Sequence, residues 1–130
     1  AIEKGDGELA EGSNWEAALA AAHYGLDNLV IINDKNNLQL AGPTREIMNT
    51  DPLADKWKAF GMTVTECQGN DMSSVVAAIE GLKQEGKPNV IIANTTKGAG
   101  ISFIQGRPEW HHRVPKGEEI ALALEELKDE

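Results

Sequence analysis

Cysteine is almost missing from this chain: Cys67 stands alone among 130 residues. No internal disulfide can form and no site built on several thiolates exists, which points to a reducing, cytoplasmic setting. Aromatic residues are sparse at 5%, and basic side chains are outnumbered by acidic ones, 12 against 21, for a formal charge of -9. A surface with that balance repels polyanions and so argues against nucleic acid or an anionic membrane as partner. Long apolar runs are lacking too. No stretch approaches the roughly 20 residues that a membrane-crossing helix needs, and the first residues do not have the basic-then-apolar layout of a signal peptide. What remains is ordinary: 41% hydrophobic and 25% charged residues, the composition of a globular domain long enough for one core.

Along the chain, helical and extended patterns alternate. Trp15, Ala18, Leu19 and Ala22 recur at helical spacing, and Ser13 with Glu16 forms the S-x-x-E pattern of a capping box, so a helix is expected from Ser13 to about Gly25. His23, beside that stripe, reads as a packing residue. "NLVIIN" is a short branched run suited to a strand buried on both faces, and "KNNLQLAGPT" a loop leaving its C-terminal end. Asp51 and Pro52 open a helix with Leu53, Trp57 and Phe60 on one face and Gly61 as its stop. "MTVTEC" makes a second strand. Met72, Val75, Val76, Ile79 and Leu82 mark a helix closed near Gly86, "NVIIANT" a third strand, and Ile120, Ala123, Leu124 and Leu127 a last helix.

Strands alternating with helices predict an α/β fold, a parallel sheet flanked by helices, with three recognisable strands and about four helices. The glycine-acid-glycine turn Gly5-Asp6-Gly7 has only four residues ahead of it, too few for the usual leading strand. The chain therefore reads as a truncated domain, whose open edge is expected to be covered by self-association or by missing segments.

The turn carries chemistry in this setting. Its glycines let a ligand approach the backbone, the following helix directs free N–H groups toward an anion, and Asp6 offers a hard oxygen to a cation. Thirty residues later, "NDKNNLQ" follows a strand, so Asn36 emerges at the same edge of the sheet, where open α/β folds bind ligands. The combination suits a metal-bound diphosphate. A solvated turn at Asp6 and Gly7, and an Asx-turn at Asn36, are the plain structural alternatives.

The stretch "GDGELAEGSNWEAALAAAHYGLDNLVIINDKNNLQ" resembles the thiamine diphosphate motif of transketolases, and the likeness continues through "DPLADKWKAFGMTV", "KPNVIIANTTKGAGISF" and "RPEWHH". It identifies residues 1–130 as part of the diphosphate-binding domain of such an enzyme. The resemblance implies magnesium held by the Asp6 and Asn36 side chains and the Leu38 carbonyl, with Gly7 meeting the diphosphate. It implies an interfacial carboxylate network containing Glu11 and Glu16, although Glu16 also serves the capping box. His111 matches a histidine near the diphosphate and the reacting substrate, but the family tends to continue with glycine where this chain has His112, which leaves the choice between the two open. Lys97 sits where a cation would approach the diphosphate, or is simply solvated.

The implied activity is two-carbon ketol transfer between sugar phosphates of the pentose phosphate type. In the family the cofactor lies against a pyrimidine-binding domain of the partner subunit, and no candidate for it is present in these 130 residues. The chain by itself is thus expected to be inactive. The other reading is a noncatalytic fragment that only associates with itself or a partner.

Overall fold

Branched residues that alternate sides along a strand need a cover on both faces, and the chain supplies it from its own helices. The computed structural model describes residues 1–40 and 42–128. Strand β1 (Ile2–Gly5) leads through a 3-10 turn (Glu8–Ala10) and helix α1 (Gly12–His23) to β2 (Val30–Lys35). A small hairpin, β3 (Leu38–Gln39) with β4 (Gly42–Pro43), and helix α2 (Thr44–Ile47) follow. Then come α3 (Leu53–Ala59), β5 (Thr63–Gln68), α4 (Met72–Glu80), β6 (Asn89–Asn94), a second 3-10 turn (Pro108–His111) and α5 (Glu118–Glu126).

The main sheet is parallel throughout, in the order β1-β2-β6-β5. It has four strands where the residue pattern shows three. The added one is β1, the leading strand for which four residues looked too few: Ile2 pairs with Ile31 and Gly5 with Asp34 in regular parallel register. Four residues suffice because the ladder of β2 supplies hydrogen-bond partners that no local pattern reveals. Ile2 is still 47% exposed, so β1 is an open edge strand.

On one face of the sheet, Ile31, Val90 and Ile92 pack with Ala18 and Ala21 of α1 and with Leu53 and Trp57 of α3. On the other, Ile91 and Ala93 meet Ala78 of α4, with Cys67 beside them. The helix faces differ from the sequence expectation. Ala21 lies in the core where the spacing predicts Leu19, and Leu19 is exposed; Val75, Ala78 and Leu82 face the sheet while Met72, Val76 and Ile79 are largely open. Of the apolar face of α5, only Ala123 is buried. His23 is exposed, edge-on to Tyr24. Helix α4 ends at Gly81 rather than near Gly86. Helix α1 has no side-chain cap: its N-cap residue is Glu11, so Ser13 already lies inside the helix and the Ser13–Glu16 box does not form.

Trp57 carries a polar task inside the core. Its Nε1–H donates to Asn33 Oδ1 at 2.7 Å, with both residues at most 1% exposed, and its ring lies 4.9 Å from that of Trp15. Trp57→Phe keeps most of the packing but leaves the Asn33 oxygen unpaired, so urea unfolding should show a loss of about 1–3 kcal/mol. Trp57→Ala should cost more, about 3–5 kcal/mol. A Phe variant as stable as the native protein would show that this bond contributes nothing.

Candidate functional site

The parallel register brings the ends of β1 and β2 side by side, since Gly5 pairs with Asp34. The chain then leaves both strands at the same edge, and the two exits meet. Asp6, immediately after β1, is 2% exposed, and its Oδ2 accepts the backbone N–H of Asn37 at 2.5 Å. Burial pushes the Asp6 carboxyl up from its ordinary range; the N–H groups of Asn37 and Asn36 pull it down, Asp34 pushes it up, and Lys35 pulls it down.

Asn36 forms the Asx-turn that its residue type allows: Leu38 N–H donates to Asn36 Oδ1 at 2.9 Å. The turn does not consume the group, because an amide oxygen keeps a second lone pair. The other end of the amide, Nδ2, donates to Asp34 Oδ2 at 3.4 Å. The segment after Gly7 is held by donors from α1. Asn14 Nδ2 donates to the Glu8 carbonyl at 2.5 Å and Trp15 Nε1 to the Leu9 carbonyl at 3.0 Å. The "SNWE" run thus ties the turn to α1 through Asn14 and Trp15 rather than through a capping box.

These elements enclose a cavity of about 480 Å³. Asp6, Gly7, Glu11, Asn36, Leu38, Lys97 and His111 all line it. Glu16 does not; it lies on the exposed side of α1. Of the two histidines, His111 reaches the cavity wall and His112 stacks edge-on behind it at 4.5 Å. His111 is held below its usual pKa by partial desolvation, then by the charges of Lys97 and His112. The turn bearing it is anchored by Trp110, which meets Phe103 edge-on at 5.3 Å and lies 4.3 Å under the Arg113 guanidinium. The loop bearing Lys97 needs glycine at its next residue. Gly98 has φ +69, and a Cβ there would clash with Ile104 Cγ2.

Sequence reasoning missed Asp34, Gln39, Leu40 and Ile47, which also line the cavity. Asp34 was hidden because β2 runs to Lys35, past the end of the apolar run. The other three lie on the hairpin and on α2, elements too short to leave a periodic signal; Gln39 is fixed by donating to the Met48 carbonyl at 2.9 Å. Leu40 and Ile47, 65% and 47% exposed, add apolar surface to the cavity lining. A smaller cleft by α3 is lined by charges that pair with one another, Lys35 with Asp51 at 2.7 Å.

A cavity at the carboxyl ends of parallel strands, lined by both polar and apolar side chains, is the ligand-binding arrangement of open α/β domains. Residues 2–128 match the family described as "Transketolase, thiamine diphosphate binding domain". An apulose-4-phosphate transketolase chain of Actinobacillus succinogenes, named as one subunit of its enzyme, is 74% identical over 126 residues, 97% of this chain and 46% of that protein. The 6-deoxy-6-sulfo-D-fructose transketolase subunit SqwG of a Clostridium species is 42% identical over 127 residues, again 97% of this chain and 46% of its own length. A crystal structure of transketolase from Campylobacter jejuni superposes with a TM-score of 0.87 at 33% identity, over 97% of this chain and 20% of that one. The chain belongs to the transketolase family, within its thiamine diphosphate binding domain. It spans about 46% of the length of these curated relatives.

The buried Asp6 gives a pH test that needs no ligand. A carboxyl whose folded pKa is raised contributes its stability below the unfolded pKa, 3.8, and loses it as pH rises through the folded value. Above that value the charged, buried Asp6 weighs against folding. Asp6→Asn, which keeps an acceptor for Asn37 N–H, should therefore gain stability over the native protein as pH rises from about 4 toward neutrality, measured by thermal melting in a chelator. A difference that does not change with pH would contradict it.

Proposed function

We propose that this chain holds the diphosphate end of thiamine diphosphate through a magnesium ion, as part of a transketolase that moves a two-carbon ketol unit from a ketose phosphate to an aldose phosphate. The observation that carries the proposal is the buried Asp6 carboxylate tied by Asn37 N–H to the segment bearing Asn36 and Leu38, in one cavity with Lys97 and His111. The donor set fits the ion. A carboxylate, an amide oxygen and a backbone carbonyl are hard oxygens, and magnesium takes such ligands together with phosphate oxygens. A carboxylate buried to 2% exposure also calls for a countercharge.

In this reading Asp6, Asn36 and the Leu38 carbonyl hold the cation, and the Gly7 backbone meets the diphosphate. Lys97 supplies positive charge to that end of the cavity. His111, kept neutral more readily by desolvation and by Lys97, can accept a proton beside the phosphates and the substrate. Leu40 and Ile47 offer apolar surface that excludes water from the ring end. When bound, thiamine diphosphate supplies the nucleophilic carbon and the electron sink for C–C bond exchange. Glu11, at the cavity rim, and Glu16, on the exposed face of α1, are assigned to a carboxylate network shared with a partner chain.

The sugar donor follows the relatives' names. The 74% identical protein is named for apulose 4-phosphate and another for 6-deoxy-6-sulfo-D-fructose, so the substrate proposed is a ketose phosphate of the first kind rather than one of the common pentose phosphates. The word "subunit" in both names supports a partner chain carrying the pyrimidine-binding domain. A purely associative role is the second reading, favoured by the exposed apolar side chains of α4 and α5, Met72 at 73% and Leu124 at 59% among them. Those faces suit the partner segments of the enzyme equally well.

Calorimetric titration of the whole protein with thiamine diphosphate should show binding that depends on magnesium and disappears in Asp6→Ala. Unchanged affinity in that variant would refute the metal assignment. These 130 residues alone, given cofactor, magnesium and ketose phosphate, should turn over at least about a hundredfold more slowly than the whole enzyme, since acid–base help at the pyrimidine end contributes that much or more. Turnover at the full rate would overturn the division of labour.

A further inference from the structure

The Asp34 carboxylate is engaged on both sides by the two segments that form the cavity. One oxygen, Oδ2, accepts Asn36 Nδ2 at 3.4 Å, and the other, Oδ1, accepts the Thr95 hydroxyl in a short contact. Asn36 belongs to the segment that follows β2; Thr95 directly follows β6 and stands two residues before Lys97. The Thr95 side chain has little freedom to leave this bond, because it is packed against Gly69, where an added Cβ would clash with Thr95 Cγ2. Its own N–H donates to the Lys35 carbonyl at 3.0 Å, so backbone and side chain both fix it beside the end of β2.

An ionised carboxylate only accepts hydrogen bonds, so it can face the NH2 end of the Asn36 amide and not the oxygen end. At the opposite end, Leu38 N–H only donates, so it must meet the oxygen. Donor and acceptor at the two ends agree on one orientation of the amide. That orientation keeps Oδ1 on the side of the Leu38 N–H, next to the Asn37 backbone whose N–H holds Asp6.

We infer that Asp34 is a positioning residue for the cation site: it sets the Asn36 amide with its oxygen toward the metal and locks the Thr95–Lys97 segment to the end of β2. The inference rests on the proposed magnesium and thiamine diphosphate site. Asp34 acts through Asn36 and Thr95, not as a ligand itself. Partners of this kind behind a metal ligand typically affect affinity by about tenfold to a hundredfold.

The test compares the whole protein with its Asp6→Ala, Asp34→Ala and Asp34→Asn/Asn36→Asp variants, by calorimetric titration of thiamine diphosphate at fixed magnesium and by melting temperature in a chelator. Asp34→Ala removes both acceptors, that of Asn36 Nδ2 and that of the Thr95 hydroxyl, and magnesium-dependent affinity should fall about tenfold to a hundredfold. The double variant reverses the polarity of the pair: the new amide at position 34 donates to a new carboxylate at position 36, which still accepts Leu38 N–H. It should recover most of the affinity. Three results would overturn the inference. Asp34→Ala binding like the native protein while Asp6→Ala does not would remove Asp34 alone and leave the cofactor site standing. A lowered melting temperature with unchanged affinity would reduce Asp34 to a structural residue. Unchanged binding in Asp6→Ala would remove the site itself, and the role of Asp34 with it.

Discussion

The hydrogen bond from Asn37 N–H to the Asp6 carboxylate is the contact on which the site depends. It spans 31 residues of sequence at 2.5 Å and joins the turn after β1 to the segment after β2. Without it the two strand ends would be neighbours only through the ladder, and nothing else would tie Asp6 to the segment that bears Asn36 and Leu38. The contact exists because β1 and β2 are parallel and in register, Gly5 beside Asp34, so that both chains leave the sheet at the same edge and height. Parallel pairing is thus what converts a pattern in sequence into a cavity in space.

The surroundings show what such a site costs. A carboxylate buried at the edge of an apolar core opposes folding until a positive charge joins it. The fold bears this because the apolar layers on both sides of β2 and β6 are independent of it. Val90, Ile91 and Ile92 are at most 1% exposed, and Trp57 closes one layer through Asn33. The rigid part of the molecule lies under the cavity, and the cavity is lined by segments that hold their shape through local polar bonds. Asn14 and Trp15 hold the turn after Gly7, Asp34 holds Asn36 and Thr95, and Gln39 holds the hairpin.

Much of this was legible in the sequence, and the parts that were not have physical reasons. The order of helices and strands followed from period and punctuation, and Asp6, Asn36, Lys97 and His111, singled out in the sequence, all line one cavity. Strand β1 was illegible because four residues with a single branched side chain carry no pattern; its partner makes it a strand. Helix faces were misread where two stripes were compatible with the spacing, as at Leu19 and Ala21, since the choice is made by which side the sheet lies on. Ser13 and Glu16 match a capping box, yet the N-cap of α1 is Glu11, two residues earlier, which leaves Asn14 and Trp15 to satisfy the carbonyls of the preceding turn. Asp34 escaped notice because polarity at the end of a strand looks like the start of a loop.

The central claim is that the ends of β1 and β2 form a cation site for a diphosphate. A crystal structure of the whole protein with thiamine diphosphate and magnesium tests it most directly. The account requires the ion to touch an Asp6 carboxylate oxygen, Asn36 Oδ1 and the Leu38 carbonyl at about 2.0–2.1 Å, with phosphate oxygens completing its shell and Lys97 and His111 beside the diphosphate. An ion and cofactor bound elsewhere, or an Asp6 side chain turned away from the ion toward Asn37 alone, would contradict it.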